Sequence, residues 1–184
     1  MRCTDIPNSR QRGSSLLEVL VAILVMSVGM LGMAGLTAAS STYNKLSQIR
    51  STALLLVSDY ADRARANVPG FDSANYAKTT TYQYSKTPVT ATGCTDATVP
   101  CDAATMAALD QAQWINLLRL NLPGGDAYVQ TTADLFNNQR TMDIWVMWSE
   151  VEQASGFAML GNTSCPAAAT TSAAVKCMYF RIAL

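Results

Sequence analysis

The sequence predicts an α+β protein in which one long N-terminal helix packs on a small antiparallel sheet. No proline occurs between Ser14 and Val68, so one helix of about 54 residues can form there. Apolar residues alternate in two segments near the C-terminus, Met142–Trp148 and Met178–Leu184, which is typical of half-buried strands. A long helix followed by short strands indicates an antiparallel sheet that covers one side of the helix.

The composition limits the classes of function. Thirteen basic residues balance thirteen acidic ones, so a basic nucleic-acid-binding surface is not expected. The chain has no histidine, which excludes Ser-His-Asp and Cys-His catalysis and every His-ligated metal site. The acids are scattered and no glycine-rich phosphate loop occurs, so we expect no enzyme, no metal, no cofactor and no small-molecule substrate.

An apolar segment follows a short basic leader at the N-terminus. Residues 1–13 carry three arginines and one aspartate, and from Leu16 to Ala39 the only charged residue is Glu18. As a helix this segment would extend about 36 Å at ~1.5 Å per residue, and a bilayer core of about 30 Å needs ~20 residues. The segment is therefore long enough to span a membrane, with the leader arginines on the cytoplasmic side.

Glu18 is the unusual residue of this segment. A lone carboxylate inside a membrane span is costly to bury, and such residues are usually functional. If Gly13 is the last residue of a removed leader, the new amine of Ser14 lies one helical turn from Glu18. A carboxylate and an ammonium group neutralise each other in a medium of low dielectric, within one chain or between packed chains.

The N-terminal residues resemble a known family. Gly13 followed by SSLLEVLVAILVMSVGMLGMAGL is similar to the processing signal and first helix of type IV pilins and pseudopilins. The resemblance implies a type IV pilin-like fold, cleavage between Gly13 and Ser14 by a prepilin peptidase, methylation of the new amine, and an assembly role for Glu18. The family usually has phenylalanine after the cut, and the serine found here bears on methylation more than on cleavage.

Longer stretches resemble the PilV-type minor pilins, namely EVLVAILVMSVGMLGMAGL, CDAATMAALDQAQWINLLRLNLPGG and a C-terminal strand preceded by a cysteine. This implies a single-pass protein of the inner membrane, with a periplasmic domain, that enters a cell-surface pilus through its N-terminal helix. The implied partners are other minor pilins and the major pilin, with a role in starting assembly within a tip complex. A minor pseudopilin of type II secretion is the alternative, and a signal-anchored periplasmic enzyme is disfavoured by the missing histidine.

Three glycines, Gly29, Gly32 and Gly35, lie inside the apolar segment. Each costs about 0.5–1 kcal/mol relative to alanine in a helix interior. They predict either close helix–helix approach in the membrane or a helix that unwinds readily. The resemblance favours unwinding, because the helix of major pilins carries a proline at the position of Gly35 and melts around it on entry into a filament.

The predicted domain organisation has four parts: the leader 1–13, a membrane-spanning and filament-core helix half 14–39, an amphipathic helix half 40–67 and a globular domain 68–184. In the amphipathic half, an apolar stripe at helical spacing predicts contact with the globular domain; it consists of Leu46, Ile49, Ala53, Leu56, Val57, Tyr60 and Ala64. The charged residues between them, Arg63 included, predict a solvated face.

The globular domain is predicted to begin where Val68-Pro69-Gly70 ends the long helix. A surface loop over 70–101 with a short strand near Thr80–Tyr84 comes next. A second helix over Asp102–Leu122, capped by Asp102 or Thr105, is followed by a weak strand at Tyr128–Thr132 and the two strong strands named above.

Four of the five cysteines lie outside the leader, and four cysteines allow three pairings. The pairing closest in sequence is Cys94–Cys101 and Cys165–Cys177. A zinc site of all four is disfavoured, because no two cysteines have the close spacing typical of such sites. Disulfides suit an oxidising periplasm or cell surface.

Trp145 and Met147 alternate with the core-facing residues of their strand, so both are predicted on the opposite face of the sheet. Two interpretations are open. The long loop over 70–101 covers this face, or the face is a contact surface for a partner subunit.

Overall fold

The computed structural model describes residues 15–83, 85, 87–91, 93–94, 101–149, 165–170 and 174–184. The chain divides into two compact units, Met1–Leu46 and Ser47–Leu184. The described elements are the helices α1 (Leu16–Ala66), α2 (Val68–Asp72) and α3 (Ala103–Asn121) and the strands β1 (Asp126–Asp134), β2 (Gln139–Ser149) and β3 (Val175–Ala183). The predicted α+β fold, a long N-terminal helix with a small antiparallel sheet, is confirmed.

The sheet is antiparallel throughout, in the order β1-β2-β3. Alternate residues of β2, from Met142 to Trp148, are at most 4% exposed, as the period of two predicts. They form one core with the part of the apolar stripe of α1 from Ile49 to Ala64 and with α3, whose Trp114 is fully buried. The same core takes the alternating residues of β3, so the predicted inward faces of both strands are confirmed.

The long helix ends where the sequence predicts, but the segment that follows α1 differs from the prediction. The helix ends at Ala66, but Val68-Pro69-Gly70 starts the short helix α2 instead of a loop. Asn67 caps α2 by accepting a hydrogen bond on its side chain from the backbone N–H of Gly70, at 3.2 Å. Proline is compatible with the first turn of a helix, where its missing N–H would have no intrahelical partner.

α3 begins and ends close to the predicted residues. Asp102 is the N-cap and accepts from the backbone N–H of Thr105 at 2.7 Å. After the helix, Gly124 has a φ of +62°, a conformation that favours glycine. A Cβ on Gly125 would overlap the carbonyl oxygen of Leu118, so the chain can turn this closely only with glycine at that position.

The predicted strand near Thr80–Tyr84 is wrong for its described residues, 80–83, which lie outside any strand. The chain pairs with β1 earlier, in an isolated bridge between Lys78 and Val129. Beyond this bridge the backbone bonds elsewhere: the N–H of Tyr82 donates to the carbonyl of Ala169, and the N–H of Gln83 donates to a carboxylate. These partners replace a continuous strand ladder.

Candidate functional site

The apolar first part of α1 has no cover among the described residues of its own unit. The large apolar side chains from Leu16 to Leu36 are between 48% and 85% exposed. The most apolar 18-residue window of the helix has a mean hydropathy of 2.4, and none of it is buried. A helix that is apolar on all sides suits a lipid or protein environment. This segment is therefore the first candidate for function.

The hydroxyl groups of this segment are satisfied by the helix itself. Ser27 donates to the carbonyl of Leu24 at 2.8 Å, and Thr37 donates to Met33 and Ala34 at 3.1 and 2.9 Å. Such bonds back to the preceding turn remove the cost of placing a hydroxyl in an apolar medium. The polar side chains of the segment are thus compatible with a membrane span.

Glu18 lies in the first turn of α1 and is exposed. Its backbone N–H donates to the carbonyl of Ser15 at 2.9 Å. An acid is favourable at this end, where the helix dipole is positive. Gly13 and Ser14 lie outside the described residues, so the predicted cleavage and the contact between the Ser14 amine and Glu18 stay predictions.

The three glycines lie within the continuous helix α1. A Cβ added to Gly29, Gly32 or Gly35 would meet no described atom within 4 Å beyond the adjoining backbone of the helix itself. The glycines are therefore not required for packing against the described residues of this chain. Close approach to another helix and local unwinding both remain open as their role.

The sheet face opposite the core is partly covered, which corrects one interpretation. Met147 is fully buried in a second, smaller cluster with Tyr128, Ala169 and Cys177. It is therefore not available as a contact surface for a partner. Two segments cover this face, because Tyr82 of the loop and residues of the segment 165–170 pack in this cluster.

Trp145 lies beside this cluster and is partly exposed. Across the three strands it is the middle member of an aromatic row, in register with Tyr128 and Tyr179. Its ring centroid lies 5.8 Å from that of Tyr128 and 4.9 Å from that of Tyr179. A partner contact at Trp145 stays a prediction.

Two disulfides join the cysteines that are closest in sequence, Cys94 to Cys101 and Cys165 to Cys177. The second bond ties the segment 165–170 to the start of β3. Cys177 is 2% exposed, so this bridge is part of the small cluster. Among the described residues, no group of three or more cysteines and acids could hold a metal ion.

A partly buried polar network joins α1 and α3, and the sequence does not predict it. The hydroxyl of Tyr76 donates to Asp110 at 2.7 Å, and Arg63 contacts the same carboxylate at 3.2 Å. Arg63 is thus not on a purely solvated face, because it reaches α3. Burial, followed by the bond to Asp110, raises the pKa of Tyr76. In the sequence, only the position of Arg63 beside the apolar stripe indicates that its side chain could reach a neighbouring element.

Comparison with known proteins gives one match. Residues 8–34 match the family model described as the prokaryotic N-terminal methylation motif. No curated protein and no solved structure matches the chain. The matched range contains Gly13, Ser14, Glu18 and two of the three glycines, and it therefore coincides with the exposed apolar segment and the end of the leader.

Proposed function

We propose that this chain is a minor pilin of the PilV type, within the type IV pilin and prepilin family; the methylation motif at residues 8–34 supports the proposal. A prepilin peptidase cleaves it between Gly13 and Ser14 and methylates the new amine. The mature protein waits in the inner membrane with its second unit in the periplasm. It then joins other minor pilins and the major pilin, and helps to start pilus assembly as part of a tip complex.

The exposed apolar segment of α1 carries this proposal. It begins three residues after Gly13 of the motif, and no described side chain of its own unit buries it. Before assembly, a bilayer removes this surface from water; in a filament, the helices of neighbouring subunits do so. The two disulfides suit a domain exported to an oxidising compartment.

Processing is tested first. In a strain that makes the prepilin peptidase, Gly13→Leu should leave a precursor 13 residues longer than the mature chain, whose first residue should be Ser14. Gly29→Leu is the matched control, since it adds the same side chain beyond the cut. Mass spectrometry of the membrane fraction measures the mass and the first residue of both variants. A wild-type protein with a different first residue would contradict the proposed processing.

The role in the pilus is tested by deletion of the gene. Surface pili, counted after shearing, should fall in number while synthesis of the major pilin continues. The type II secretion alternative predicts the reverse: normal pili, and a folded enzyme that is no longer secreted. Detection of the mature chain in sheared pili would support the minor pilin.

A further inference from the structure

The hairpin that joins β1 to β2 ends in two exposed apolar side chains, Leu135 and Phe136, which we call the apolar tip. Leu135 is 64% exposed and Phe136 is fully exposed. Turns usually contain glycine, proline, asparagine, aspartate or serine, and the residues that flank the tip, Asp134 and Asn137, follow this rule. Neither tip residue belongs to the described core clusters. Two adjacent large apolar side chains at a turn therefore indicate a contact surface.

The turn that carries the apolar tip is stabilised by hydrogen bonds of its own. The carboxylate of Asp134 accepts from the backbone N–H groups of Phe136 and Asn137, at 3.1 and 3.2 Å, and from the side chain of Asn137 at 2.7 Å. Asn138 has a φ of +52°, and its side chain accepts from Nη1 of Arg140 at 2.7 Å. A turn that is ordered before binding loses little conformational entropy when it binds.

Arg140 also fixes the place of the apolar tip on the second unit. Its Nε and Nη2 donate to the two carboxylate oxygens of Asp72 in α2, at 2.6 and 2.7 Å, and α2 directly follows the end of α1. The chain enters this unit at Ser47, and the helix from Ser47 to Ala66 is about 30 Å long at ~1.5 Å per residue. The apolar tip and the entry of the chain are thus at opposite ends of the unit.

The charges beside the apolar tip favour a protein over a lipid surface as its partner. Segments that bind membranes combine exposed apolar side chains with Lys or Arg, which attract anionic headgroups. The basic residue nearest in sequence to the tip, Arg140, is paired with Asp72, and the charged residue on the other side of the tip is the acid Asp134. Aromatic side chains are enriched at the centres of protein interfaces, where they fill pockets of the partner.

We propose that the apolar tip inserts into an apolar pocket of a neighbouring pilin subunit, the one that entered the assembly before this chain. The inference rests on the proposed function, in which the first unit is the last part of the chain to leave the membrane. The tip lies at the end of the second unit farthest from Ser47, so it meets subunits that are already assembled. The contact is heterologous, because the tip of one subunit meets a different surface on the next.

The first test places the photo-crosslinking residue p-benzoylphenylalanine at position 136 of the full chain, in cells that assemble pili. Irradiation should join this chain to another pilin subunit, identified by mass spectrometry of the linked peptides. Gly13→Leu, which should block processing, should also remove this product. A product with lipid alone or with a protein that is not a pilin would overturn the inference. So would the absence of any product while the mature chain is present in sheared pili, whereas its absence from sheared pili would contradict the proposed function itself.

The second test substitutes the apolar tip. Phe136→Ser should lower the amount of this chain in sheared pili about tenfold, because the loss of a central aromatic anchor greatly weakens an interface. Phe136→Leu keeps an apolar side chain and should be recovered close to the wild-type level. Leu120→Ser is the matched control, since Leu120 in α3 of the same unit is 82% exposed.

All three variants should unfold in denaturant as the wild type does, because the substituted side chains are exposed. Any loss from the pilus can then be assigned to a contact between subunits. If Phe136→Ser is recovered at the wild-type level, or if Leu120→Ser is lost to the same extent, the apolar tip does not make the proposed contact.

Discussion

Tyr76 has a fully buried side chain, and its hydroxyl group connects three segments of the second unit. It donates to Asp110 of α3, and it also lies 3.3 Å from the carbonyl oxygen of Arg63 in α1. The backbone carbonyl of Tyr76 accepts from the hydroxyl of Tyr60 at 2.9 Å. The network is therefore satisfied by partners distant in the chain, which is the condition under which a buried polar group adds to stability.

Tyr76→Phe should lower the free energy of unfolding by about 1–2 kcal/mol, because Asp110 loses a partner in a partly buried position. Tyr43→Phe is the control, since this tyrosine is 56% exposed. Denaturant unfolding of the full chain in micelles measures both variants. Equal effects of the two substitutions would show that the hydroxyl of Tyr76 contributes nothing.

The outer face of the sheet carries an ion pair that predicts a dependence on pH. Hydrogen bonds from Arg181 and then from Tyr179 outweigh partial burial and hold the pKa of Asp143 below its ordinary value. A lowered pKa stabilises the fold above the unfolded value of about 3.9, and this contribution is lost as the pH falls through the folded pKa.

Asp143→Asn should therefore flatten the fall in unfolding free energy on acidification below about pH 4. The effect should be small, about 0.2–1 kcal/mol, because the side chain of Arg181 is 67% exposed. Asp62→Asn, which removes an exposed charge on α1, controls for the change in net charge. Denaturant unfolding at several pH values between 2 and 6 measures this dependence. If the slope of unfolding free energy against pH is the same in Asp143→Asn as in the wild type, the ion pair does not contribute to it.

At the scale of elements, the two parts of α1 differ by the distribution of their apolar residues. From Leu16 onward they occur on all sides of the helix, whereas the buried ones between Ile49 and Ala64 form one stripe that packs against α3 and the sheet. Trp114 of α3 fixes this contact by donating to the carbonyl of Leu56 at 2.7 Å and stacking on Tyr60, with ring centroids 4.0 Å apart.

The bridge between Cys165 and Cys177 should contribute more to stability than the bridge between Cys94 and Cys101. In the chain-entropy model the two loops are worth about 3 and about 2.5 kcal/mol. The bridge between Cys165 and Cys177 also holds Ala169 over the sheet, and Ala169 helps to bury Met147. Paired serine substitutions at each bridge, followed by denaturant unfolding, give the comparison. A larger loss at the Cys94–Cys101 bridge would contradict the packing argument.

At the scale of the whole molecule, Glu18 is expected to guide the chain into a filament. An ionised group buried alone in an apolar array costs several kcal/mol, and pairing it with an amine offsets much of that cost. We therefore expect Glu18 to meet the Ser14 amine of an adjoining subunit and so set the axial register. Such head-to-tail contacts are heterologous and need a distinct group at one end.

Glu18→Ala should insert into the membrane and be cleaved, but should co-purify poorly with other pilins. Glu18→Gln should behave like the alanine variant if the charge is required, and like the wild type if a hydrogen bond is sufficient. Asp62→Ala is the control, an exposed acid farther along α1. Co-purification of Glu18→Ala at the wild-type level would show that Glu18 has no role in assembly.

The local features of this chain were predictable because they depend on neighbours in sequence. The helix α1, the capped helix α3 and the alternation in β2 and β3 follow from residue spacing and turn chemistry. The N-terminal motif is a continuous run, and so it was also recognisable without coordinates. The start of α2 was missed, because proline can either end a helix or occupy its first turn, and the choice depends on the cap that Asn67 provides.

Only the tertiary structure decided which distant groups meet. The alternation of β2 places Met147 on the outer face but carries no information on the segment 165–170 that covers it. In the same way, Arg63 and Arg119 look like ordinary surface charges in the sequence, yet one reaches the buried network and the other lines a cavity. Burial and pairing depend on contacts between residues far apart in the chain, and those form only when the helices pack on the sheet.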